Sequence, residues 1–455
     1  MYNFRVFLLD AFYRYAPVVT SATSNLGSSA RASLALLVCI NLFNYIDRYI
    51  LSAVEPLIAK EILEPGDPRE QTKMGLLATA FLVSYMVSAP FFGWLAERFN
   101  RWTIIAIGVA LFSIASGMSG LLTSKAAWLA SIGLGSASAY IVLLISRALV
   151  GVGEGAYGPI APAVISDLYP VSRRGQVLAW FYIAIPVGSA LGFVLGGQIG
   201  VHFGWRWAFY AVVGPGLLLA LLAFLRKEPK RGGADGVEHK RPFSLVDLRM
   251  LLKTPSYLLN VAGMTAMTFA VGGVSFWMPR YVSEFRKAAE IDRATLIFGI
   301  ITVVAGIIAT LAGGWVGDKL RTRFPGSYLL VSGIAMLVGF PMFLLVMVTP
   351  FPLCWVVIFF AVVCLFFNTG PSNTAIANVT HPAMRSMAFA VCIFVIHALG
   401  DAISPVVIGN ISDRAHGNMN AGFGVVSVTV LLAGIFWLWG SRYLGKDTEL
   451  APHRV

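Results

Sequence analysis

Charge is scarce in this sequence: Asp, Glu, Lys and Arg make up 12% of its 455 residues, against about 25% in a soluble domain. With 57% hydrophobic residues, too little polar surface remains to cover a water-facing globule. The short alternating segments of a membrane β-barrel are missing as well. The four cysteines, Cys39, Cys354, Cys364 and Cys392, fall inside apolar stretches without CxxC spacing, so they read as helix-packing residues. There is no metal-ligand spacing, no GxxxxGK[ST] string and no GxSxG elbow, which argues against ATP hydrolysis and esterase chemistry. No enzyme activity, cofactor or metal is therefore expected.

What is present is a series of apolar segments of the roughly 20 residues needed to cross about 30 Å of hydrocarbon. They must be helices, because lipid satisfies no free backbone amide. The spans fall near 33–56, 75–97, 102–123, 138–169, 174–200 and 205–226, then 256–283, 294–317, 326–349, 352–378, 385–409 and 418–443. The fold class expected is an all-α polytopic membrane protein of two six-helix bundles, 31–226 and 256–444. A tail at 1–30, a linker at 227–255 and a tail at 445–455 complete it. Arg5, Asp10 and Arg14 interrupt the apolar stretch in the first tail, so it fits neither a cleaved signal peptide nor a span. The 124–140 stretch is apolar but rich in Gly, Ser and Ala; as a separate span it would invert the topology after it.

The net charge of +12 comes from basic residues in loops rather than on one face, which speaks for positive-inside bias and against a nucleic-acid partner. Arg98/Arg101, Arg173/Arg174, the 227–253 segment and Lys319/Arg321/Arg323 all follow even-numbered spans. That places them on one side with both termini, expected to be cytoplasmic. The linker, entered through RKEPKRGGADGVEHKR, suits a flexible join between bundles, and its basic residues also suit anionic membrane lipid.

The halves echo each other. Gly93-Trp94-Leu95-Ala96-Glu97-Arg98 follows span 2 and Gly314-Trp315-Val316-Gly317-Asp318-Lys319 follows span 8. Internal duplication is common in secondary transporters, whose substrates sit near the midplane between the repeats.

Ionisable residues inside spans are costly and mark cavities or partners. Span 1 carries Asn41, Asn44, Asp47 and Arg48 in NLFNYIDRYIL. Counted from Ser33 at 1.5 Å per residue, Asp47 lies ~20 Å from the inner edge. Span 4 runs the opposite way and brings Arg147 to a similar depth, so Asp47, Arg48 and Arg147 are expected to meet. Arg147 and Glu154 share a face two turns apart, with Gly151, Gly153 and Gly155 leaving room for a neighbouring backbone. Desolvation favours a neutral carboxyl and an adjacent arginine favours a charged one, so Asp47 and Glu154, tuned by Arg147, are proton-carrying candidates. A permanent structural ion pair is the alternative. Span 11 adds His397 and Asp401 in HALGDAISP, where the histidine either titrates near neutrality or is structural.

The repeated strings resemble the loop 2–3 motif of the major facilitator superfamily and its second-half copy, with Glu97 where aspartate is usual. The strings NYIDRY, RALVGVGEGAYGPIAPAVISDLYP, FYIAIPVGSALGFVLGG and HALGDAISPVVIG together resemble its Spinster branch. The resemblance implies a proton-coupled, alternating-access carrier of a lysophospholipid or a sphingosine-1-phosphate-like lipid. Asn41, Asn44, Arg48, Arg147 and His397 are then expected at the headgroup, and Phe193 and Phe366, with Phe181 and Phe367, along the tail. Phe193 stands where the branch commonly has tyrosine. Gly93 and Gly314 are expected to allow close helix approach, and Glu97, Arg98, Asp318, Lys319 and Asp401 to gate, unless the repeated strings are passive clasps. The partners expected are the substrate, protons and membrane lipids, with the protein acting as a monomer. A carrier of small organic anions such as sugar acids, or a non-transporting membrane sensor, remain the alternatives.

Overall fold

The computed structural model describes residues 24–96, 98–124, 138–169, 171–229, 245–381 and 385–451. Among them are twelve helices long and apolar enough to cross a membrane, at the positions the hydropathy pattern predicts. Spans 1 to 3 are Ser29–Ile62, Glu70–Ala96 and Arg101–Leu121, and spans 4 to 6 are Ala139–Leu168, Trp180–Phe203 and Trp205–Phe224. The second half repeats the pattern with Pro255–Phe285, Ile291–Arg321, Ser327–Val348, Leu353–Val379, Ala388–Arg414 and Met419–Leu450. The chain is an integral multi-pass membrane protein of two six-helix halves.

Several boundaries differ from the sequence expectation. The first helix already begins at Ser24 and the last continues to Leu450, which shortens both expected tails. The linker contains a helix, Leu245–Leu252, while residues 230–244 and most of the 124–140 insertion lie outside the described residues.

Four spans are broken where apolar periodicity gave no warning. Span 4 stops at Gly155 and resumes at Ile160, because Pro159 has no N–H to donate to the turn before it. Span 10 breaks between Phe366 and Thr369, just ahead of Pro371. Span 7 ends in a π-turn, Tyr281–Phe285, and span 11 carries another at His397–Asp401, followed by Pro405. Such turns insert a residue and aim side chains away from the regular helix face, often at functional sites.

Close packing within the first half rests on small residues. Gly188, Gly192 and Gly196 lie one turn apart on span 5 and face span 1; a Cβ on Gly192 would sit 2.6 Å from the Ile46 carbonyl oxygen. Removing side chains lets backbones approach where lipid offers no hydrophobic drive. On span 4, Gly151 packs against the Phe81 carbonyl of span 2 and Gly153 against Gly108 of span 3, as the glycine string implies. Among the described residues nothing lies within 4 Å of a Cβ added to Gly93 or Gly314, but the Gly314 backbone does meet span 10 closely, its Cα lying 3.4 Å from where a Cβ on Gly370 would sit. Of the cysteines, Cys354 and Cys392 are buried but Cys39 is exposed, so it is no packing residue.

Candidate functional site

A small central cavity of about 70 Å³ lies between the halves. Arg48, Tyr49, Ser52, Phe81 and Arg147 line it from the first half, and Ser275, Phe276 and Asp401 from the second.

The four charges singled out on spans 1 and 4 are brought together there, as two crossed pairs. Arg48 Nη2 lies 2.8 Å from Glu154 Oε2, and Arg147 Nη2 lies 3.4 Å from Asp47 Oδ2. Consecutive helical residues point about 100° apart, so Asp47 and Arg48 cannot serve one partner and each takes a different span-4 residue. Asp47 is fully buried and Arg147 and Glu154 nearly so, while the Arg48 side chain keeps 21% of its exposure. The arginines thus stand between the carboxylates and the cavity.

Aromatic faces complete the first shell of the guanidiniums. The Tyr45 and Phe81 ring centroids lie 4.9 and 4.8 Å from Arg48 Cζ, and Phe81 and Phe209 flank Arg147 at 5.9 and 5.7 Å. Hydrogen-bonding capacity is left over. Arg48 Nε, Arg147 Nε and Nη1, and Glu154 Oε1 are buried without a hydrogen-bond partner among the described residues. Native interiors rarely leave such groups unsatisfied, and two arginines with spare donors beside a cavity form a ready anion site.

The other expected headgroup and tail residues are distributed differently. Asn41 faces span 5, donating to the Phe181 carbonyl at 3.1 Å, so it braces two helices instead of facing substrate. Asn44 is buried, and its side-chain oxygen has no hydrogen-bond partner among the described residues. Phe193 is fully buried between Tyr49 and Phe298, at ring centroid distances of 4.9 and 5.0 Å. It seals the span 5–span 8 seam and lines no tail channel. Phe366 packs toward Gly306 within the second half, and Phe181 is buried among Tyr157 and Tyr182. The Phe367 backbone carbonyl packs where a Cβ on Gly313 would sit.

His397 Nδ1 lies 2.9 and 3.1 Å from the two carboxylate oxygens of Asp401, and its ring meets Tyr85 of the first half edge-on at 6.4 Å. Asp401 lines the central cavity, where the π-turn and Gly272 of span 7 bring it inward.

Among the remaining gating residues, Glu97 lies outside the described residues. Arg98 and Lys319 each lie over the tryptophan of their own motif copy, 4.1 Å from Trp94 and 4.7 Å from Trp315. Asp318 accepts a 2.7 Å hydrogen bond from Tyr328 of its own half. In this conformation these three are engaged within their own halves.

Contacts between the halves gather on the far side, opposite the termini, and the residues that make them were not anticipated. Arg280 of span 7 lies 3.2 Å from Glu55 of span 1, 3.0 Å from Glu284, and also pairs with Glu70. Lys60 reaches Glu284 at 2.7 Å. Asp413 of span 11 caps span 2, accepting from the backbone N–H of Gln71 and Thr72 at 3.1 and 2.7 Å and from the Thr72 hydroxyl at 2.6 Å. Ser116 of span 3 was likewise missed; its hydroxyl donates to Asp47. The signal available was Ser113, Ser116 and Ser119 recurring every third residue of an otherwise apolar helix.

Comparison with known proteins adds four findings. Residues 37–405 match the profile of the Major Facilitator Superfamily. The chain is 33% identical over 465 residues to protein spinster homolog 3 of Danio rerio, covering 96% of this chain and 89% of that one. It is 32% identical over 445 residues to the sphingosine-1-phosphate transporter SPNS2 of Danio rerio, covering 91% and 84%. In architecture it is similar to the crystal structure of a bacterial homologue of the human lysosomal transporter Spinster, inward-facing and unoccupied. The TM-score is 0.78 at 21% identity, over 92% of this chain and 98% of that one.

Proposed function

The chain belongs to the Spinster family of the major facilitator superfamily, and from that premise we propose that this transporter moves an anionic amphiphile, a lysophospholipid or sphingosine-1-phosphate-like lipid, by proton-coupled alternating access. The observation that carries the reading is the pair of arginines at the cavity wall, Arg147 buried and Arg48 half-buried, each tied to a single carboxylate and each with N–H groups unused among the described residues. The unfilled N–H groups are themselves buried, so a phosphate entering the cavity takes them up as the guanidiniums turn toward it. Phe81, Leu82, Leu51 and Phe276 give the same cavity its apolar surface, which suits the stem of an acyl or sphingoid chain.

Coupling follows from charge balance. A phosphate that takes over Arg48 displaces Glu154, and a carboxylate left without its cation in a low-dielectric interior takes up a proton. Substrate anion and proton are then favoured together, and the same exchange is open to Asp47 at Arg147. A monoanion moving with one proton carries no net charge, so the membrane potential cancels and the pH gradient alone drives the pair: each pH unit supplies about 1.4 kcal/mol, which sustains about a tenfold substrate gradient.

The test is uptake into proteoliposomes under an imposed pH gradient, with lysophospholipid, sphingosine-1-phosphate and a labelled hexuronate offered in parallel. Gradient-driven lipid uptake that collapses in Asp47→Asn and Arg147→Ala is expected. Hexuronate uptake without lipid movement would replace the lipid by a small organic anion, and ligand binding without any flux would make the protein a sensor.

A further inference from the structure

On the far side lies a second and larger cavity, of about 460 Å³, within the range of about 300–1,000 Å³ usual for small-molecule sites. Both halves build it. The first supplies Asp67, Glu70 and Gln71 from the start of span 2 and the loop before it; the second supplies Arg280 and Glu284 from span 7 and Asp413 from span 11. The lining residues Gly66, Pro68, His416 and Gly417 are exposed, so the cavity meets the medium while the far side is closed.

Acid outnumbers base in this lining. Asp67, Glu70, Glu284 and Asp413 stand against Arg280 and His416, and the Arg280 guanidinium is shared among Glu55, Glu70 and Glu284. Lys60 on Glu284 and Lys73 on Asp67 reduce the excess without removing it. A separate observation points to a ligand. Gln71 is only 8% exposed, and its side-chain oxygen has no hydrogen-bond partner among the described residues, although the residue lines this cavity. Buried acceptors are rarely left unpaired, and a donor entering the cavity fills this one. The carboxylates are spread over the walls instead of converging: among the described residues no group of three or more His, Cys, Asp or Glu is placed to hold a metal ion. Spread acceptors suit a flexible cation whose ammonium groups are set several atoms apart, each a compact charge with three donors. Phe285 of the lining gives such a cation an aromatic neighbour.

We propose that this far-side cavity is a regulatory site for an organic cation carrying two or more ammonium groups, which bridges the halves and holds the far side closed. Opening that side draws Asp67 and Gln71 away from Glu284 and Asp413 and takes the site apart. A ligand that binds one conformation and not the other shifts the equilibrium by that difference in affinity, so the cation slows the turn to the form open on the far side. The inference rests on the alternating-access part of the reading above and is independent of which substrate the central cavity takes.

The experiment uses the full chain in phosphatidylcholine nanodiscs, where both faces are reachable, with spin labels on the far-side loops and spermidine as the probe. Saturating spermidine is expected to lower the population open on the far side about tenfold. Butylamine, with a single ammonium, is expected to need about tenfold more for the same shift. Gln71→Met keeps the length of the side chain but not its oxygen, and is expected to weaken spermidine binding, read by calorimetry, about tenfold, with the spermidine-free distances unchanged. Asp67→Asn, on an outer loop where folding is not at stake, is expected to weaken it about threefold. Distances that ignore spermidine, an equal shift from potassium chloride at matched ionic strength, magnesium as potent as spermidine, or full affinity in both variants each overturns the inference and leaves the carrier standing. Far-side distances that never change, with any ligand or at any pH, overturn alternating access and this inference together.

Discussion

The central charges and the far-side charges are both buried arginine systems, but they differ in what they join. Arg48 and Arg147 pair with carboxylates of their own half, Glu154 and Asp47. Arg280 reaches across to Glu55 and Glu70 of the other half. Rocking one half against the other leaves the first set intact and must break the second. The central pairs therefore answer to what enters the cavity, a ligand or a proton, whereas the far-side cluster answers to the conformation itself. Burial sharpens both, since a buried ion pair adds little net stability but leaves a costly orphan when one partner goes.

The strongest way to break this contrast is to delete a central arginine. Arg48→Ala strands the buried Glu154, and losing one partner of a buried pair costs about 3–5 kcal/mol, so substrate uptake in proteoliposomes is expected to fall at least a hundredfold. Adding Glu154→Gln to the same chain removes the orphan and restores folded yield, measured by thermal unfolding, without restoring transport. Next in size is Arg280→Ala, which leaves Glu55, Glu70 and Glu284 facing one another. Spin labels on the far-side loops are expected to move apart by several ångströms, with central affinity for substrate shifted less than the opening equilibrium. Unchanged far-side distances would show that the cluster is no lock.

Two smaller effects sharpen the contrast further. Ser116→Ala removes a hydrogen bond to a buried carboxylate, a type worth about 1.5–3 kcal/mol, and about a tenfold loss of transport is expected with far-side distances unchanged. Asp413→Asn weakens the cap on span 2; a cap is worth about 1 kcal/mol, so a shift of about fivefold toward far-side opening is expected with substrate affinity retained. Smallest is the loop between spans 1 and 2, where the Lys73 ammonium hydrogen-bonded to Asp67 holds its carboxyl below its usual range. The stabilisation it contributes is fully present above the ordinary carboxyl value of about 4. It is lost as pH falls through the depressed one, so Asp67→Asn is expected to matter at neutral pH and to become silent in strong acid.

Much of this molecule is legible from residues alone. Twelve apolar runs, the duplicated GW motif and four in-span charges lead to the architecture, the family and the positions of Asp47, Arg48, Arg147 and Glu154. Each is a local signal, a length or a residue type out of place. The breaks in spans 4, 7, 10 and 11 are harder, because a run stays equally apolar whether or not its helix is continuous. Prolines 159, 371 and 405 are the available hints.

Partners were the least readable feature. Phe193 and Asn41 look like binding residues in sequence but are spent on the span 5 seams. Ser116, Arg280 and Asp413 look ordinary, yet they touch a buried acid, three carboxylates and a helix N-terminus.

The amino-acid sequence by itself determined that the chain crosses the membrane twelve times in two related halves and buries charge in spans 1, 4 and 11, since the hydrocarbon sets helix length and the price of a charge. Which carboxylate meets which arginine, which wall Asp401 faces and where the halves meet were decided by tertiary structure. A helix fixes only the angle between its own side chains, and pairing depends on how neighbouring helices are rotated and spaced, which the small residues between them control.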